Sequence, residues 1–123
     1  MNAPLILVID DDAANREIAE AFLNLAGWQV VLATDGQSGI HAFEQYHPAV
    51  ILLDVRLPDM NGDEVCQRLK LRAPHLPIIM TSGYESAEMR ALLKQAGADV
   101  FLARPFSGAE LIQLVKQFLD RDA

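Results

Sequence analysis

Five short apolar runs punctuate the chain: Leu5–Ile9, Trp28–Ala33, Ala49–Leu53, Pro77–Met80 and Asp99–Ala103. Several are rich in β-branched residues and nearly continuous rather than alternating, the pattern of strands covered on both faces. Between them lie segments of helical period. Ile18, Phe22 and Leu25 are spaced i, i+4, i+7, with Gly27 as the stop. Ile40 and Phe43 mark a second helix closed by Pro48, and Val65 and Leu69 a third closed near Pro74. Met89, Leu92, Leu93 and Ala96 mark a fourth, opened by Ser86 and stopped by Gly97. The fifth carries the stripe Leu111, Leu114, Val115, Phe118 and Leu119, with Ser107 and Glu110 at capping-box spacing before it. Such stripes serve first as core. The alternation predicts a (βα)₅ fold, a doubly wound parallel sheet with helices on both faces and right-handed crossovers.

Composition narrows the classes. With 123 residues the chain is one domain, and 51% hydrophobic against 22% charged residues excludes a disordered segment. A formal charge of -7 argues against nonspecific nucleic-acid or anionic-membrane binding, both of which need basic patches. One cysteine, Cys66, excludes an internal disulfide framework and fits a reducing cytoplasm; its place beside Val65 and Leu69 makes it a small core residue. No run approaches the roughly 18 apolar residues of a spanning helix. His41, His47 and His75 lack ligand spacing and are expected at the surface.

In an open α/β sheet, ligands bind beyond the carboxyl ends of the strands. There the first run is followed by Asp10, Asp11 and Asp12, the third ends in Asp54, the fourth in Thr81 and Ser82, and the fifth in Arg104-Pro105. Asp12 suits an N-cap. Asp10, Asp11 and Asp54 exceed what capping needs, since three carboxylates brought together repel unless a cation compensates. Hard carboxylate oxygens suit Mg²⁺, with Mn²⁺ as a substitute. A carboxylate held there can attack phosphorus, with Thr81 as a hydroxyl donor and Arg104 as a fixed planar cation.

The stretches Val8-Ile9-Asp10-Asp11-Asp12, Leu53-Asp54-Val55-Arg56-Leu57-Pro58-Asp59-Met60-Asn61-Gly62, Met80-Thr81-Ser82-Gly83 and Arg104-Pro105-Phe106 resemble the motifs of the receiver domain of bacterial two-component response regulators, the CheY-like family. The resemblance covers essentially the whole chain. It implies flavodoxin-like strand order 2-1-3-4-5 and a single receiver domain over 1–123. It further implies Asp54 as phosphoacceptor, Asp11 as direct Mg²⁺ ligand, Asp10 acting through a metal-bound water, and the main-chain carbonyl of Arg56 as a further ligand. Thr81 takes the place of the switch hydroxyl and Phe101 that of the switch aromatic. The implied phosphodonor is a histidine kinase or phosphotransfer protein. The implied output face is the fourth helix, fifth strand and fifth helix, around Ser86–Gln95, Asp99–Ala103 and Ser107–Leu119. Turnover is confined to phosphorylation and dephosphorylation of Asp54, so no enzyme acting on other substrates is expected. Gly83 and Arg56 flank the approach of attacking water and are expected to tune the lifetime of the phosphorylated state.

Arg104 departs from the family's usual Lys. It can pair with Asp54 in the unphosphorylated state, hindering cation entry, or clamp two phosphoryl oxygens in the phosphorylated one. A degenerate receiver that binds partners without phosphorylation is therefore the alternative. A Mg²⁺-dependent phosphohydrolase is disfavoured, because Ala13-Ala14 follow the Asp run where a Gly-Thr pair is usual. A nucleotide or flavin site is disfavoured by the lack of a Gly-rich loop after the first run. The Arg104–Pro105 bond is a candidate cis peptide. The expected setting is cytoplasmic, with no membrane or direct nucleic-acid contact, either as a stand-alone receiver or as one excised from a larger protein.

Overall fold

The computed structural model describes residues 3–83 and 86–121. Strands and helices alternate strictly: β1 (Leu5–Ile9), α1 (Ala13–Leu25), β2 (Gln29–Ala33), α2 (Gly36–Tyr46), β3 (Val50–Asp54), α3 (Gly62–Arg72), β4 (Ile78–Ser82), α4 (Ala87–Gln95), β5 (Val100–Ala103) and α5 (Gly108–Arg121). The sheet order is β2-β1-β3-β4-β5 with every neighbouring pair parallel, as the alternation and the family resemblance led one to expect.

Period-two alternation sorts the strand residues into two cores. Leu7, Ile9, Ile51, Leu53, Ile78 and Met80 face α2, α3 and α4, where they meet Ile40, Val65, Cys66 and Leu93. Ile6, Val8, Val50, Leu52 and Ile79 face α1 and α5, where they meet Ala19, Leu23, Leu111 and Val115. Each such Leu, Ile or Val side chain, fully buried, contributes about 1.5–3 kcal/mol. The central strands are covered on both faces, but the edges are not: Gln29 and Leu32 of β2 and Ala103 of β5 are exposed. Strand order alone explains this, since β2 and β5 have neighbours on one side only.

Two stripes are rotated from expectation. On α1, Ile18 and Leu25 are 49% and 81% exposed, while Ala19 and Leu23 are buried. The segment is apolar at adjacent positions, and a one-residue step turns the face by about 100°. The sheet takes the small Ala19, which allows close approach, and leaves Ile18 outside. On α4, Met89, Leu93 and Ala96 turn inward and Leu92 lies 45% exposed.

The ends follow local chemistry. Asp12 Oδ1 accepts from the Asn15 amide at 3.1 Å as the N-cap of α1. Gly27, with φ 91°, ends the same helix. The Ser107–Glu110 capping box is present in both directions, at 3.1 and 3.2 Å. The Arg104–Pro105 bond is cis. Among the described residues, no helix is long and apolar enough to cross a membrane.

Candidate functional site

The rows of side chains that point towards α1 and α5 change character at the carboxyl end of the sheet. Val8 is followed two residues later by Asp10, Leu52 by Asp54 and Ile79 by Thr81. All three polar residues stay buried, at 5%, 5% and 3% exposure. Asp54 and Thr81 are register partners across β3 and β4. Parallel pairing with matched strand ends thus brings distant stretches of sequence to one edge. Ligand atoms of Asp10, Asp11 and Asp54 all lie within 4.8 Å of one another, with Asp11 exposed and the other two buried.

Arg104 enters this cluster from the end of β5, held there by its amide, which donates to the Ser82 carbonyl at 2.7 Å. Its Nη2 donates to Asp54 Oδ1 at 3.1 Å, and its Nη1 reaches Asp10 Oδ2 at 3.5 Å. The guanidinium thus spans Asp54 and Asp10 together. One guanidinium does not neutralise three carboxylates. Burial pushes the Asp54 carboxyl up to about 6, the Asp10 charge adds to the rise, and Arg104 and the Arg56 amide oppose it. Asp10 is also raised, by burial first, against the Asp12 amide and Arg104.

The loop after β3 closes one side. Val55 donates to the Thr81 carbonyl at 3.3 Å, the Gly62 amide to the Val55 carbonyl at 2.7 Å, and Arg56 bridges to Asn61. A Cβ on Gly62 would stand 2.9 Å from the Val55 oxygen and 3.0 Å from the Asp54 oxygen, so only glycine allows the loop to fold back here. Asp59, close in sequence, does not join the cluster; it accepts from the Gly36 and Gln37 amides at 2.7 and 2.8 Å. A cleft of about 390 Å³ opens over the acids, lined by Asp11, Asp12, Asn15, Asp54, Arg56, Gly83 and Arg104. Gly83 and Arg56 therefore border the same cleft as Asp54.

Phe101 stands apart. It is opposite Met80 in register and packs half-buried against the core under α2–α4, the face away from Thr81, with the Arg90 guanidinium 5.5 Å from its ring centroid. Cys66 is fully buried and its thiol is pushed up to about 11 by burial; His41, His47 and His75 are exposed. Two residues at the site escaped the sequence reading. Asn15 lines the cleft, and Arg16 donates through Nη1 to the Asp10 carbonyl at 2.8 Å. The available signal for Arg16 was a cation in the first turn of a helix, where the dipole disfavours it.

Comparison with known proteins agrees with this geometry. A family model described as the response regulator receiver domain matches residues 6–116. The chain is 36% identical over 121 residues to a probable transcriptional regulator ycf27 of Porphyridium aerugineum, covering 98% of this chain and 50% of that protein. It is 36% identical over 116 residues to response regulator MprA of Mycolicibacterium vanbaalenii, covering 94% and 50%. The chain thus spans about half the length of the curated relatives it matches. The crystal structure of a CheY-like receiver domain protein from Methanospirillum hungatei JF-1 superposes with a TM-score of 0.93 at 30% identity, covering 98% of this chain and 96% of that one. The chain belongs to the response regulator receiver domain family.

Proposed function

We propose that this receiver domain is a phosphoacceptor switch, taking a phosphoryl group onto Asp54 from a histidine kinase or phosphotransfer protein. The observation that carries the reading is the buried Asp54 carboxylate, raised to about 6 by burial and by Asp10, in a cleft with the Arg104 guanidinium 3.1 Å away. An Asp54 oxygen forms the new P–O bond as the donor's P–N bond breaks and the imidazole nitrogen leaves. Arg104 lies within reach of the same oxygens and stabilises the added charge, while the Thr81 hydroxyl donates to a phosphoryl oxygen.

The donor set fits Mg²⁺ or Mn²⁺: clustered carboxylates, one exposed, beside an open cleft. Asp10, Asp11, Asp54 and the main-chain carbonyl of Arg56 would hold the ion, Asp10 through water. When bound, it supplies charge neutralisation for both carboxylate and incoming phosphoryl group. Thr81 and Phe101 form the switch, and because they lie on opposite faces of the sheet, their coupling runs through the β4–β5 pairing. The readout face is α4, β5 and α5, around Ser86–Gln95, Asp99–Ala103 and Ser107–Leu119. Gly83 and Arg56 set how long the phosphate stays. The setting is cytoplasmic, and the contacts are with proteins rather than membrane or nucleic acid. The transcriptional role in the relatives' names belongs to proteins twice as long; these 123 residues supply the phosphorylated input.

One observation favours the alternative of a phosphorylation-independent module: Arg104 already spans Asp54 and Asp10. Incubation with Mg²⁺ and acetyl phosphate, read by intact mass, separates the two. One added phosphoryl group is expected on the native chain and none on Asp54→Asn. An unmodified native chain overturns the switch reading and leaves the binding module.

A further inference from the structure

Asp10 sits where the chain leaves the sheet. Its amide still belongs to the ladder, donating to the Ala33 carbonyl at 3.1 Å. Its carbonyl does not, because the register of β1 with β2, the neighbour this residue faces, ends one residue earlier at Ile9 and Ala33. That carbonyl is met instead by Arg16 Nη1 at 2.8 Å. On the side chain, Oδ1 accepts from the Asp12 amide at 2.9 Å. The peptide plane carrying the Asp10 carbonyl is the one that joins Asp10 to Asp11. Held at its oxygen, a planar unit fixes the direction in which the chain enters Asp11 as well as the orientation of Asp10.

We infer that Arg16 is a positioning residue for the cation site, acting through the Asp10 carbonyl on the two carboxylates either side of that peptide. This rests on the reading of Asp10, Asp11 and Asp54 as a cation site. Helix stability does not account for the residue, since a cation in the first turn opposes the dipole of α1. Charge alone makes the opposite prediction. A guanidinium beside the acids repels a divalent cation, so a merely electrostatic Arg16 weakens binding and its removal strengthens it. A positioning Arg16 strengthens binding and its removal weakens it.

Mn²⁺ titration followed by the electron paramagnetic resonance of the free ion reads this sign directly, without phosphorylation. Arg16→Gln is expected to bind Mn²⁺ about tenfold more weakly, the lower end for loss of an outer-shell partner. Arg16→Lys keeps the charge and one donor of similar reach, and is expected to recover most of that loss. Where the Gln variant does not unfold cooperatively, Arg16→Met, which keeps the length of the side chain and removes the donor, takes its place with the same expectation. Native-like or tighter binding by the folded Gln variant, or by the Met variant in its place, overturns the inference and leaves the cation site standing. A native chain that takes up no Mn²⁺, or uptake that Asp11→Asn does not change, overturns both.

Discussion

Strand β5 is bracketed by two contacts between a cation and carboxylate, and they are built on different terms. At its start, Asp99 Oδ2 accepts from Lys70 Nζ at 2.8 Å and from the Ile78 amide at 2.8 Å. One ammonium meets one carboxylate, and a strand amide shares the same oxygen. At its end, Arg104 faces Asp54 at 3.1 Å and Asp10 at 3.5 Å, with Asp11 in the same cluster. Balanced charge at a half-exposed strand start serves the fold. Unbalanced, buried charge at the strand end raises the Asp54 carboxyl and costs stability, which a fold has no reason to carry unless something arrives to use it.

The largest expected effect tests that cost. In the presence of a chelator, the folded Asp54 carboxyl titrates at about 6 against an ordinary value of 3.8. Between these values the folded chain holds a proton that the unfolded chain has lost, so native stability falls as pH rises through the window. Above it the whole loss is present, roughly 2–3 kcal/mol from the shift. Asn carries no charge and escapes it. Urea denaturation from pH 4 to 8 is expected to find Asp54→Asn more stable than native by that amount at pH 8, with the gap closing towards pH 4. A gap independent of pH would mean that the two ends of β5 do not differ as described.

A somewhat smaller effect, of opposite sign, belongs to the other end. Asp99→Ala removes the Lys70 partner and leaves the Ile78 amide without its acceptor. The expected loss is about 2 kcal/mol, most of it from the unpaired amide. Phosphate uptake from acetyl phosphate is expected to keep the native rate in the same variant. A changed rate would show that the strand start is wired to the site, and the contrast would have to be abandoned.

The contrast also explains what the sequence disclosed. Run and stripe patterns gave the alternation because period and burial are written in residue type, and the acids stood out because each ends an apolar run. Ile18 and Leu25 misled for a physical reason: α1 is apolar at adjacent positions, and only the distance to the sheet selects the face with Ala19. Arg16 stayed hidden because its partner is a main-chain carbonyl, which has no letter in a sequence. The separation of Phe101 from Thr81 was recoverable from register, since odd and even positions of paired strands face opposite ways.

The smallest effect sharpens the comparison most, because it changes shape without charge. The two arms of the Arg104 fork lie on Asp54 and Asp10 at once, and any cation held by those carboxylates must share them. An ammonium is a point charge that engages one carboxylate at this distance and leaves the other free. Arg104→Lys is therefore expected to bind Mg²⁺ about threefold more tightly by calorimetry, near 0.7 kcal/mol. Its phosphorylation should quicken at low Mg²⁺ and match native at saturation. Equal affinities would mean that the fork lies beside the carboxylates without competing for them, and Lys70 with Asp99 would then differ from Arg104 with Asp54 in number of acids alone. A threefold gain would add a second difference: one pair is closed, whereas the other is held by a group that must be displaced.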